Sequence, residues 1–291
     1  MGTLPTAEVE KRMYASEREE NFRWLASIVA TTSPVTLSEK HLVDAETVAK
    51  ISAFGEFAEI AHGSIDPEFI WLNRHTLTQP RFPLEHYPVM GKEPTVLKQR
   101  FEGTVGQLQG YVAFRPDHNQ VIVSFSGTAN AHLALRDTQT WRTQCRVASS
   151  GVEGSNAWKV HYGFQTVYEG VREAAFSALE SVVEDLKDKQ PTIVITAHSL
   201  GTCMGYFFLL DLLHRQKMEN HFFLPIGTHF IIASFGPPRI GNEAFVRHVQ
   251  TTFEAYKRDH GSESLEEYAV IAHGDGMHSI ICPVFFRSRS G

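Results

Sequence analysis

Residues 192–205 read TIVITAHSLGTCMG, and this stretch constrains the fold more than any other. A run of β-favouring residues, 192–196, passes straight into Ala197-His198-Ser199-Leu200-Gly201, and a helical pattern opens at 202–214. No room is left for a loop, so the turn must be tight. Ser199 stands there. The residues two before and two after it must be small, and they are Ala197 and Gly201. The common form of this turn carries Gly at both places, so Ala197 is a departure, though a sterically small one. Such a turn lifts the Ser199 hydroxyl clear of the backbone. It aims a helix N-terminus at the space in front of it and offers the Leu200 N–H to a developing oxyanion. An ordinary helix whose first residue is capped by serine fits the same residues, and the pentapeptide alone does not separate the two.

The surrounding pattern sets the fold class. Residues 46–62 place Ile51, Phe54, Phe57, Ala58 and Ala61 on one helical stripe. Residues 77–95 carry Pro80, Pro83, Pro88 and Pro94 and read as a surface connection. Strands at 108–114 and 121–125, joined by Pro-Asp-His-Asn turn chemistry, predict a hairpin. A helix follows over 171–186, with Val171, Ala175, Ala178, Leu179, Val182 and Val183 in register, and Pro191 stops it. Strand 192–196, helix 202–214, strand 230–235, helix 242–256 and strand 268–272 complete the order. Strands alternating with helices predict βαβ units and a mostly parallel sheet with right-handed crossovers. Residues 129–158 show no continuous strand pattern. No linker divides the chain, so 1–45 reads as a peripheral N-terminal segment with a helix over 7–31, and 46–291 as one domain.

Several function classes are excluded. The net charge of −6 argues against a partner bound through its phosphates, so no nucleic acid is expected. Neither a P-loop nor a G-x-G-x-x-G opens a helix, and no H-E-x-x-H or paired C-x-x-C occurs, so neither a metal nor a cofactor is expected. The apolar run 204–213 is short and broken by Asp211, so no transmembrane segment is expected. Three cysteines, Cys145, Cys203 and Cys282, read as free thiols, or at most one disulfide, rather than a disulfide framework. The first residues lack the apolar core of a signal peptide, which makes the cytoplasm the default expectation.

Four stretches, VIVSFSGTANA, VHYGFQTVY, ITAHSLG and FGPPRIGNEAF, resemble successive signatures of the fungal class 3 lipases, and of their basidiomycete lipase-like branch in particular. FGEFAEIAHG and LQGYVAFRP fit the same group, and the resemblance covers roughly residues 50–285. It implies an α/β-hydrolase fold, with helices on both faces of the sheet, N-terminal helices and a lid. It also implies a carboxylic ester hydrolase acting on acylglycerols or other small esters through Ser199, with no cofactor. FSGT resembles the family's F-R-G-[ST], which assigns the second oxyanion donor to the Thr128 amide beside that of Leu200. Ser126 replaces the Arg, so any ion pair from that Arg is lost. The segment 129–141, with Leu133, Leu135 and Trp141, matches the lid, which would touch a lipid interface transiently. His161 precedes the serine and reads as structural.

The acid maps onto Asp275, which also satisfies the chain order Ser, Asp, His. The histidine is harder to place. Only His278 follows Asp275, three residues on, where the family usually has Pro. His198 adjoins the serine and should point away into the sheet, and His273 precedes the acid. The family's histidine lies beyond a Pro-Pro that corresponds to Cys282-Pro283 here. The expectation is therefore a chain truncated at its C-terminus, and a histidine nitrogen within hydrogen-bond reach of Ser199 Oγ would contradict it. The reading from a different class is a non-catalytic lipid- or ester-binding relative.

Overall fold

A computed structural model describes residues 42–127, 142–148, 152, 154–186, 189–219 and 222–271. The chain divides into a large compact unit, Asp44–Val270, and a second made of Met1–Val43 with Ile271–Gly291. The elements below belong to the first. The N-terminal helix expected over 7–31 lies outside the described residues.

Helix α1 (Ala45–His62) starts where Asp44 accepts the Thr47 N–H at 2.8 Å and ends at Gly63. Four of its five predicted stripe residues are buried, Ile51 is half-buried, and Ile60 joins them. Helix α2 (Pro67–Leu77) is capped by Asp66, with Pro67 in its first turn. The proline-rich stretch 77–95 is not only a surface connection. Pro88 opens a one-turn helix, α3 (Pro88–Gly91), which buries Val89 and Met90.

The main sheet has strands β1 (Val96–Glu102), β2 (Gln109–Arg115), β3 (Gln120–Phe125), β6 (Thr192–His198), β7 (Phe230–Phe235) and β8 (Leu265–Val270), in that spatial order. β1, β2 and β3 pair antiparallel; β3, β6, β7 and β8 pair parallel. A separate two-stranded pair joins β4 (Arg142–Gln144), inside the stretch that shows no strand pattern, to β5 (Lys159–His161), just after it. The last predicted strand lies earlier than expected, at Leu265–Val270, and Ala272 is outside the described residues.

Helices α4 (Tyr162–Asp185), α5 (Leu200–Met218) and α6 (Glu243–His260) make the three crossovers. All three step in one direction across the sheet, so right-handed crossovers place them on one face. Val171 and Leu179 of α4, Phe207 and Phe208 of α5, and Phe245 and Val249 of α6 share a single core with Ile193, Ile195 and Ala197 of β6. The alternate residue Val194 joins the other core, beneath α1 and α3. α5 is buried around almost its whole circumference. No helix among the described residues is long and apolar enough to cross a membrane.

Contacts between α1 and the sheet are partly polar. Tyr111 Oη and Ser124 Oγ donate to the Phe57 carbonyl at 2.7 and 3.1 Å, and Thr196 Oγ1 donates to the Phe54 carbonyl at 2.9 Å. All three side chains are fully buried. A purely apolar contact would let the helix slide, whereas three directional bonds from three strands fix its register.

Two half-buried groups should give opposite pH responses. Burial pushes the Glu56 carboxyl up to about 7, helped by the nearby Glu93 charge and opposed by the Val89 N–H. The folded state then holds more protons than the unfolded one between about 4.5 and about 7, and stability falls as pH rises through that window. His248 stacks on Trp158 at 3.6 Å, and burial lowers its pKa to about 4, with His214 adding to the effect. Here the unfolded state holds more protons, so stability falls as pH drops from about 6.5 towards 4. After allowance for solvent screening, each effect is about 1 kcal/mol. Urea unfolding from pH 4.5 to 8 should therefore show Glu56→Gln gaining stability over the parent as pH rises. His248→Phe should gain as pH falls. Parallel curves would show that neither group is coupled to folding.

Candidate functional site

The site forms at the carboxyl ends of the parallel strands, where β6 turns into α5. Ser199 has φ 54° and ψ −125°. A serine cap normally has extended backbone and a side chain bonded to the first turn. Ser199 has neither, since its side chain makes no capping bond. The first turn is instead closed through the Ser199 carbonyl, which accepts the Thr202 N–H at 3.0 Å and the Thr202 hydroxyl at 2.6 Å. The Ser199 N–H donates to the Phe235 carbonyl of β7 at 2.9 Å. A left-handed serine costs roughly 1–3 kcal/mol and persists only where its surroundings impose it. The strain leaves Oγ unspent by the helix, and the plain-cap alternative does not describe this turn.

The neighbours account for the small residues. A Cβ at Gly201 would lie 2.5 Å from the Phe125 carbonyl oxygen, 2.8 Å from that of Ser126 and 3.1 Å from Ala197 Cβ. Helix α5 thus starts almost in contact with the end of β3. Ala197 is tolerated because its methyl already faces the apolar core beneath the turn. Leu200 buries its side chain, while its N–H, at the first helical position, has no acceptor within the helix. The amide the sequence assigns to an oxyanion thus sits beside the serine hydroxyl.

β3 is followed by Ser126-Gly127. The Ser126 hydroxyl accepts the Gln109 N–H at 3.0 Å, and its own N–H donates to the Gln109 carbonyl at 2.8 Å. Where the related motif carries Arg, this serine prolongs the β2–β3 pairing. Thr128 lies outside the described residues, as do Leu133, Leu135, Trp141, His273, Asp275 and His278. Of the assigned site residues, the structure therefore describes Ser199 and Leu200. Among the described residues, no histidine hydrogen-bonds Ser199 Oγ. His161 ends β5 and immediately precedes α4; its N–H donates to the Ile240 carbonyl at 3.0 Å and its ring stacks on Phe164 at 4.2 Å.

One residue at the site escapes sequence reasoning. His62, the last residue of α1, reaches the same end of the sheet, and its ring meets that of His198 edge-on with centroids 4.7 Å apart. Its signal in the sequence, a histidine closing an apolar stripe, is that of an ordinary helix end.

The sequence profile of the family described as "Lipase (class 3)" matches residues 122–276, more than half of the chain and the stretch that holds the Ser199 turn. A lipase of Rhizopus niveus is 26% identical over 233 residues, which cover 79% of this chain and 53% of that protein. The secreted mono- and diacylglycerol lipase 1 of Fusarium solani is 24% identical, over 64% of this chain and 50% of its own length. The chain thus spans about half the length of these curated relatives. Among solved structures, the lipase of Rhizopus microsporus var. chinensis superposes with a TM-score of 0.58 at 21% identity, covering 82% of this chain and 70% of that one. That likeness bears on the fold, which is the α/β-hydrolase fold. The strained turn from β6 to α5 and the profile that runs across it lead to one assignment: this chain belongs to the fungal class 3 lipase family.

Proposed function

We propose that this protein hydrolyses carboxylic esters, with acylglycerols as the substrate class and Ser199 as the nucleophile. The observation that carries the reading is the strained backbone of Ser199, which withholds Oγ from helix capping and presents it beside the Leu200 amide, which has no acceptor within the helix. In this scheme Oγ attacks the acyl carbon, and the amides of Leu200 and Thr128 hold the resulting oxyanion. The alcohol leaves, and water releases the acid from the acyl-enzyme. Asp275 is assigned to orient a histidine base for the Ser199 proton, a residue the sequence does not identify in this chain. The acylglycerol class is carried over from the mono- and diacylglycerol lipase of Fusarium solani.

The test is intact-mass analysis after reaction with a fluorophosphonate, beside a Ser199→Ala control. One adduct on the parent and none on the control is expected, followed by release of p-nitrophenol from p-nitrophenyl butyrate. A folded parent that takes up no adduct would overturn the reading in favour of a relative that binds esters without cleaving them.

A further inference from the structure

His62 lies outside the stretch matched by the family profile, yet its imidazole enters the angle between the end of β3 and the serine turn. A Cβ built on Gly127 would collide with His62 Nδ1, and it would lie 2.6 Å from Cε1 and 3.2 Å from the carbonyl oxygen of His198. The bare glycine is what admits the ring. On its other side the ring meets His198 at an interplanar angle of 67°. A histidine at a helix C-terminus is favourable in itself through the helix dipole, but that preference does not call for a glycine opposite it. Nor is the placement loose. The three hydroxyl bonds from Tyr111, Ser124 and Thr196 hold α1 against the strands that end at this site. The residue nevertheless remains exposed, so a bound molecule can reach it.

The position defines the role. In a strand–serine–helix site, the acyl oxygen lies between the N–H after the nucleophile and an N–H of the loop leaving the neighbouring strand. Here that loop starts at Gly127, and His62 packs against Gly127 and against the ring of His198, the residue before Ser199, so it borders both chain segments that flank this space. The triad's acid and base follow the serine in the chain, whereas His62 precedes it. An imidazole N–H is a good donor to an oxyanion.

We infer that His62 is a further catalytic residue, donating an imidazole N–H to the acyl oxygen of the ester as the tetrahedral adduct forms. This rests on Ser199 being the nucleophile. The experiment compares the parent with His62→Phe, which keeps a ring against Gly127 and His198 but has no donor, and with His62→Gln, which keeps an N–H. Three quantities are read: fluorophosphonate labelling by mass, the kcat and KM for p-nitrophenyl butyrate, and the near-ultraviolet circular dichroism of each variant.

The expected result is a kcat about 100-fold lower in His62→Phe at nearly unchanged KM, with His62→Gln within about 10-fold of the parent. Equal kcat in the parent and His62→Phe would overturn the inference, as would a His62→Gln variant as slow as His62→Phe. If His62→Phe does not fold, His62→Ala, which leaves the helix end in place, decides by the same rates. A parent that takes up no label overturns the nucleophile reading and this one with it. A parent that labels and turns over without regard to His62 overturns this one alone.

Discussion

Gly201→Ala should lower stability by about 3 kcal/mol and remove the reactivity of Ser199. The added methyl would sit 2.5 and 2.8 Å from the carbonyl oxygens of Phe125 and Ser126. These are backbone atoms at the end of a central strand, and they cannot rotate away as a side chain can. Relief requires the first turn of α5 to retreat from β3. Overpacking of this kind costs about 1–3 kcal/mol, and a backbone obstacle puts it at the upper end. The same retreat would open the gap between the Leu200 amide and the loop that starts at Gly127. Gly205, one turn on, provides the comparison. A Cβ there would meet the Ile195 Cγ2 methyl at 3.0 Å, a side-chain neighbour that can yield. Gly205→Ala should therefore cost less than half as much and leave Ser199 reactive. Urea unfolding and fluorophosphonate labelling of both variants check the claim. A Gly201→Ala protein as stable and reactive as the parent would show that the close approach is not required.

Asp211→Ala should cost about 3–5 kcal/mol. Asp211 is 3% exposed and interrupts the apolar run of α5. Its carboxylate accepts the Tyr168 hydroxyl at 2.7 Å and the Ala148 N–H at 3.1 Å, and it forms an ion pair with Arg172 at 2.9 Å. Burial raises its pKa, and these three partners work against that rise. Removing the carboxylate strands a buried hydroxyl and a buried amide and leaves the Arg172 guanidinium with only its longer contact to Glu173 at 3.7 Å. Arg172 is 39% exposed and can turn to water, which keeps the loss near the lower bound. The pair Asp211→Leu with Tyr168→Phe deletes donor and acceptor together and should recover part of it. Chemical denaturation of the single and double variants measures this, and a loss under about 1 kcal/mol for Asp211→Ala would show that the cluster is already solvated. The cluster ties the segment after β4 to both α4 and α5, so Asp211, which interrupts the apolar run, is a point of attachment.

Some misreadings of the sequence share a cause. β1 was not legible because only Phe101 of its residues is buried and a bulge falls between Leu97 and Gln99, so neither alternation nor an apolar run survives. α2 buries Ile70 alone. The first turns of α4 carry Gly163 and Gly170, poor helix formers, and their apolar residues Phe164 and Tyr168 become interpretable only once the sheet lies beneath them. The proline-rich stretch hides Val89 and Met90, whose burial depends on a partner helix more than twenty-five residues earlier in the chain. Each of these elements is stabilised by what it packs against more than by its own pattern.

By itself the sequence determined the central strands, the three crossover helices and the small-Ser-small turn. Those are properties of neighbouring residues: the period of burial along a strand or helix, and the steric room at a bend. Only the tertiary structure decided that all three crossover helices share one face and that Gly201 abuts two strand carbonyls. It alone brings His62 against Gly127 and His198, next to the serine turn. Those facts are distances between residues far apart in the chain. They are set by how a helix pinned through Tyr111, Ser124 and Thr196 lies across a sheet, and no local pattern encodes that separation.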